Sequence, residues 1–231
     1  MEKVKITFEN MFAGLLLRFG KVNRIDLEII QNDIYSKYGI LMSKFALDYM
    51  GISRYIINMG DMYYPINSDE AKAALEEKQG KDMKTYLETL NVEDMVMLKL
   101  SSYGAVPDYM IGTVFSDEQE KVLSKLQDDL QVIYVWNNDI PCDDYQELQL
   151  TSFGEARVFE LEYKTQVEEF KELLKSEGYD IGLIPDFLRA QNLTMGIYEI
   201  LNIDNFLYYC STYDRAAKAA IPEEGLKKKM N

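Results

Sequence analysis

The chain of 231 residues has no histidine, only 2 cysteines, 5 prolines and 1 tryptophan. Without imidazole it supplies neither Ser-His-Asp nor Cys-His activation of a nucleophile, nor any metal site with a histidine ligand. Cys142 and Cys210 build no disulfide framework in a chain long enough to fold on a hydrophobic core, so both are expected as reduced thiols. The 13 glycines are dispersed, and neither G-x-G-x-x-G nor G-x-x-x-x-G-K-[ST] occurs. C-x-x-C, G-x-S-x-G and the calcium-binding EF-hand ladder are missing too. No cofactor is therefore expected. The longest aliphatic run, Met11 to Leu17, falls far short of the ~20 residues that span a bilayer, and the first seven residues contain no apolar targeting segment. The pattern predicts a cytoplasmic protein with no membrane partner.

Basic charge is also scarce, with 25 Lys and Arg against 39 Asp and Glu for a net charge of −14. That balance opposes direct nucleic-acid binding. It is also uneven. Residues 1–24 and 215–231 each carry five bases and two acids, so residues 25–214 hold 35 acids and 15 bases. The resulting −20 equals the phosphate charge on roughly 34 Å of duplex, and it points to a basic protein partner, among them a nucleic-acid-handling protein inhibited by a nucleic-acid mimic. Lys121 and Lys125 interleave with the acids after Ser116, which favours ordinary solvation there over a continuous anionic stripe. The Lys227-Lys228-Lys229 tail, beside Glu223 and Glu224, falls short of the ~4–8 basic residues that read as lipid-binding.

What is abundant is apolar: 47% of the chain is hydrophobic and 12% aromatic, enough for a packed interior. Val4, Ile6 and Phe8 alternate with polar residues and predict a strand over 3–8. Leu27, Ile30, Ile34 and Tyr38 recur at helical spacing between a cap at Asn23 and a stop at Gly39. A short helix over 43–50, a strand over 54–59 and a helix from Ser68 that restarts after Gly80 follow. The apolar stretches 93–100 and 109–115 read as paired strands. Ser116-Asp-Glu-Gln119 is a capping box that opens a helix through Val122, Leu123, Leu126 and Leu130. Residues 131–136 and 156–163 read as strands, and Thr165-Gln-Val-Glu168 as a second capping box before a helix closed by Gly178. Pro185 opens another short helix.

These elements predict an α+β protein with a mixed or antiparallel sheet and several amphipathic helices. The expected division is a helix-rich part over 1–91, a sheet-rich part over 92–214 and a flexible tail over 215–231. Nothing in the pattern specifies an oligomeric state.

Two functional readings compete. The first is a non-catalytic acidic protein that binds or regulates another macromolecule. Its candidate contacts are Tyr63 and Tyr64, placed in a loop between Asp61 and Pro65, and the acidic residues Asp128, Asp129, Asp143 and Asp144. The second is a carboxylate-dependent hydrolase in which Asp139, Asp143, Asp144 and Glu147 hold a divalent cation that activates water. Cys142, between Pro141 and Asp143, sits in a negative field that opposes thiolate formation, and Cys210 reads as core packing. The absence of histidine and of nucleophile motifs favours the binding reading.

Overall fold

A computed structural model describes residues 4–42, 51–137 and 145–219. The chain divides into two compact units, residues 1–151 and 152–231, so the boundary expected near residue 91 lies inside the first. The architecture is α+β, with helices joined by two small antiparallel sheets of three strands each.

In the first unit the predicted strand over 3–8 does not form: residues 4–7 take no regular structure, and Phe8 opens a helix, α1 (Phe8–Phe19). Thr7 decides this. Its hydroxyl accepts the Asn10 N–H, and the Asn10 carboxamide oxygen accepts the Thr7 N–H, so the chain is committed to helix just where strand alternation would have continued. Met11, Phe12, Leu15 and Leu16 are buried on α1. A Cβ at Gly14 would lie 3.0 Å from Leu87 and Met83 of α3 (Asp69–Glu88), so glycine there permits the two helices to approach closely. α3 breaks at Gly80 (φ 68°, ψ 165°) as its sequence predicts, and the Asn10 side chain donates to the Lys78 carbonyl beside the break at 2.7 Å.

β1 (Val22–Asn23), β2 (Ile56–Met59) and β3 (Met62–Pro65) form the first sheet in the order β1-β3-β2. The strand expected over 54–59 thus begins later, after a 3-10 turn at Ser53–Tyr55. The helix expected over 43–50 lies outside the described residues. α2 (Arg24–Tyr38) matches its prediction, with Asn23 capping one end and Gly39 in the left-handed conformation at the other.

The paired strands expected over 93–100 and 109–115 are instead α4 (Val92–Tyr103) and a 3-10 turn at Asp108–Met110 running into the short α5 (Ile111–Val114). Asn91 caps α4 by accepting the Glu93 and Asp94 N–H groups. Met95, Val96, Met97, Lys99 and Leu100 are all buried, and a helix covered on most sides loses the periodicity that would distinguish it from a strand.

α6 (Asp117–Asp128) carries the predicted capping box, in which Ser116 and Gln119 exchange bonds. Leu130 does not extend its apolar face. It lies beyond the C-cap, exposed, at φ 58°, a backbone conformation that costs a non-glycine residue about 1 kcal/mol or more. The turn is held by Gln131 N–H donating to the Leu126 carbonyl at 2.8 Å and by the Thr151 hydroxyl donating to the Leu130 carbonyl. It delivers the chain into β5 (Val132–Asn137), which pairs with β6 (Tyr145–Leu150), which in turn pairs with β4 (Ala105–Pro107).

One buried polar cluster ties these helices together. Asp26, three residues into α2, accepts the Asn23 N–H at 2.9 Å and receives Lys99 Nζ from α4 on both oxygens, at 2.8 and 2.9 Å. The third Nζ donor reaches Gln119 Oε1 of α6 at 3.2 Å, while Gln119 Nε2 donates to Asp26 Oδ1 at 3.1 Å. Asp26, Lys99 and Gln119 are each 1–2% exposed, and every ammonium proton has an acceptor. Burial pulls the Lys99 pKa down, and the Asp26 charge and hydrogen bonds oppose that fall.

The described residues of the second unit are all outside strands. α7 (Ser152–Glu162) replaces the strand expected over 156–163. The Phe159 and Tyr163 rings pack at a 50° tilt with centroids 4.8 Å apart, a contact of neighbours four apart on a helix rather than of alternate strand residues. α8 (Lys164–Ser176) starts before the predicted cap, so Thr165 lies inside it and the predicted second capping box is not used; Tyr163 precedes the helix without a side-chain cap. α9 (Ile184–Arg189) has Pro185 in its first turn, and α10 (Ile197–Ile200) and α11 (Ile203–Ala219) follow. Phe159, Phe170, Phe187 and Phe206 make up much of the core.

Removing one member of a buried ion pair strands the other charge and costs about 3–5 kcal/mol, whereas removing both costs far less. Lys99→Met is therefore expected to lower stability by about that amount, and Asp26→Asn/Lys99→Met to recover more than half of the loss, as measured by urea denaturation of the two variants.

Candidate functional site

A buried lysine with a depressed pKa beside a carboxylate is a common catalytic arrangement. Here burial on all sides bars a substrate, and all of its hydrogen-bonding capacity is spent within the protein. The Asp26–Lys99–Gln119 cluster is a clasp between helices.

The residues expected to carry function are dispersed. Tyr63 and Tyr64 lie on β3 rather than in a loop, and both are half-buried. The Tyr63 ring packs edge-on against Phe12 with centroids 5.1 Å apart, which makes it part of the core margin rather than a free contact. Asp128 and Asp129 end α6 and are exposed. Asp139, Cys142, Asp143 and Asp144 lie outside the described residues. Cys210 is half-buried on α11. Among the described residues no three acidic or thiol groups converge as a metal site would need.

Glu147 is the expected candidate whose surroundings are informative. β6 holds it on the outward face of the second sheet, opposite Val135 on one side and Pro107 on the other. Asn137 Nδ2 donates to its carboxylate at 2.8 Å, Gln149 Nε2 at 3.1 Å and the Tyr145 hydroxyl at 3.3 Å. These donors are neutral, so they favour the ionised form without cancelling its charge, and they hold the Glu147 pKa below its ordinary value, the Asn137 bond contributing most.

Around this carboxylate the surface is apolar and aromatic. Ile133 and Val135 share its face at 46% and 40% exposure, whereas Trp136 at the end of β5, 60% exposed, lies on the other face of the sheet. Tyr109, 70% exposed, stands edge-on to the Tyr145 ring with centroids 5.6 Å apart. The centre of the opposite face, with Val106, Val132 and Leu148, is buried, and Trp136 stands exposed at its end. β4, β5 and β6 contain no lysine or arginine, and Glu147 is their one charged side chain.

No protein-family model, curated protein or solved structure matches the chain.

The face therefore rests on its own chemistry: an anchored anion beside the large exposed side chains of Ile133, Val135 and Tyr109. Sequence reasoning passed over Ile133, Val135 and Trp136 because they were assigned to a strand without an orientation. Their alternation with Val132 and Tyr134 was the available signal, but both halves of the alternation are apolar, so nothing in it marks the outward side.

A carboxylate whose folded pKa is depressed stabilises the fold above its ordinary pKa, and that contribution is lost as pH falls through the folded value. Glu147→Gln is expected to flatten this acid-side loss. The melting temperature of the variant should fall less than that of the parent as pH drops from about 5 to about 3.

Proposed function

We propose that this protein is a non-catalytic acidic binding protein whose outward face on the second sheet engages a basic macromolecular partner. The observation that carries the reading is the combination on one surface of exposed Ile133, Val135 and Tyr109 with the charge of Glu147. Large exposed side chains of this kind supply contact area, and the anion selects the sign of the partner. The surplus of carboxylates over 25–214 adds a long-range field that accelerates encounter with a cationic protein.

Some of that acidity is neutralised internally, since Arg18 pairs with Glu118 at 2.6 Å and Lys125 with Glu93 at 2.5 Å. This supports a local contact surface over a continuous duplex-like stripe of charge. A nucleic-acid-handling protein remains the partner class that suits the sign and size of the charge. The few cysteines and the lack of a disulfide framework suit a regulatory role in a reducing cytoplasm. No described helix is long and apolar enough to cross a membrane.

The test is capture from lysate by the immobilised full chain and by Ile133→Asp/Val135→Asp, at low and at high salt. Basic proteins held by the parent, released by salt and not held by the variant would bear the reading out. Retention indifferent to both salt and the substitutions, or a rise in melting temperature with Mg²⁺ or Mn²⁺ in place of any partner, would contradict it and favour the metal-dependent hydrolase.

A further inference from the structure

The second sheet ends on β5, which among the described strands pairs on one side alone, with β6. Its hydrogen-bonding phase follows from one bond. Thr151 N–H donates to the Gln131 carbonyl at 3.0 Å, so residues 131 and 151, opposite one another in the register, form a bonded pair. Antiparallel ladders alternate. The bonded pairs are then Ile133 with Gln149, Val135 with Glu147 and Asn137 with Tyr145, and the N–H and C=O groups of Val132, Tyr134 and Trp136 point away from β6. Edge strands are usually blunted by lysine, proline or a bulge. β5, with the sequence Val-Ile-Tyr-Val-Trp-Asn, has no charge, no proline and no glycine, and it pairs in unbroken register over six residues.

We propose that the open edge of β5 accepts an extended, lysine- or arginine-bearing peptide segment as an added strand. The inference rests on the reading of this sheet face as the binding surface and names the form its partner takes. Charge selects the occupant. Glu147 lies on one face of the sheet, and on the other burial, with the Asp108 and Glu120 charges adding to it, raises the Tyr134 phenol pKa. An added strand lies two strand spacings from β6, roughly 10 Å, a gap that a lysine and a glutamate side chain can span together. A second copy of this chain would bring another net −14 and another Glu147 to the same edge, where repulsion opposes pairing. Main-chain bonds would provide affinity and the acids specificity.

The lone tryptophan makes the edge directly observable, because Trp136 is on β5 and exposed. The full chain is titrated with a synthetic hexapeptide of alternating lysine and valine while Trp136 emission is followed. A parallel titration uses the same peptide N-methylated at every residue, which keeps charge and side chains and removes every ladder donor. The expected result is a saturable blue shift with the parent peptide. Affinity for the methylated peptide should be weaker by about tenfold or more, as the loss of two or more backbone bonds implies. Glu147→Gln should weaken the parent peptide by about two- to fivefold, as an exposed ion pair implies. Equal affinity for both peptides would overturn strand addition while leaving the face as a cation-binding surface. A dimer in sedimentation whose Trp136 emission is already that of a buried indole would overturn it in favour of a second copy. If no peptide shifts Trp136 but lysate partners are still captured through Ile133 and Val135, strand addition alone falls; if capture fails as well, both readings fall.

Discussion

The structure of the first unit depends on a single dry ion pair. Lys99 and Asp26 come from helices 73 residues apart in sequence, and neither charge is tolerable in the interior without the other. Asp26 is already committed to capping the start of α2, and Gln119 to capping α6, so the ammonium is held between two helix N-termini by groups that each have a second duty. Such a cluster admits few alternative packings. Sliding α4 by a turn would leave a charge and an amide unpaired in the core, a penalty larger than most losses of apolar contact. The pair thus specifies how α2, α4 and α6 meet.

That constraint reaches the surface through α6. The helix ends at Asp128, the chain reverses through the left-handed Leu130, and β5 begins two residues later. The tight turn leaves β5 little freedom, and pairing with β6 brings its buried side, Val132, into the core and leaves Ile133 and Val135 in solvent. The exposed face and the unpaired edge belong to the same short strand, which a rigid helical body presents to solvent.

Local signals in the chain were legible at several caps and breakers, though not at the Thr165 capping box, which α8 does not use. Asn23 with Gly39, Ser116 with Gln119 and Gly80 each announce a boundary through their own backbone chemistry, and the structure honours all three. Apolar runs were misread, α4 among them despite the cap at Asn91. Residues 93–100 and 156–163 look like strands because tertiary burial, not amphipathic spacing, decides where their apolar side chains go. Val4, Ile6 and Phe8 do alternate, yet residues 4–7 stay irregular and the Thr7–Asn10 cap draws Phe8 into helix. Of the candidate site, only Glu147 was legible, as part of an acidic cluster. The role of Lys99 was not, since a lysine in an apolar run gives no hint that it will be buried against an aspartate far away in sequence.

Among the described strands β5 is anchored to β6 on one side and open on the other. Residue-resolved amide hydrogen exchange of the free protein tests this most directly. Ile133 and Val135, bonded to β6, should exchange slowly, while Tyr134 and Trp136, whose N–H groups face outward, should exchange far faster. Equal protection of all four would mean that the edge is already covered, and would contradict the account.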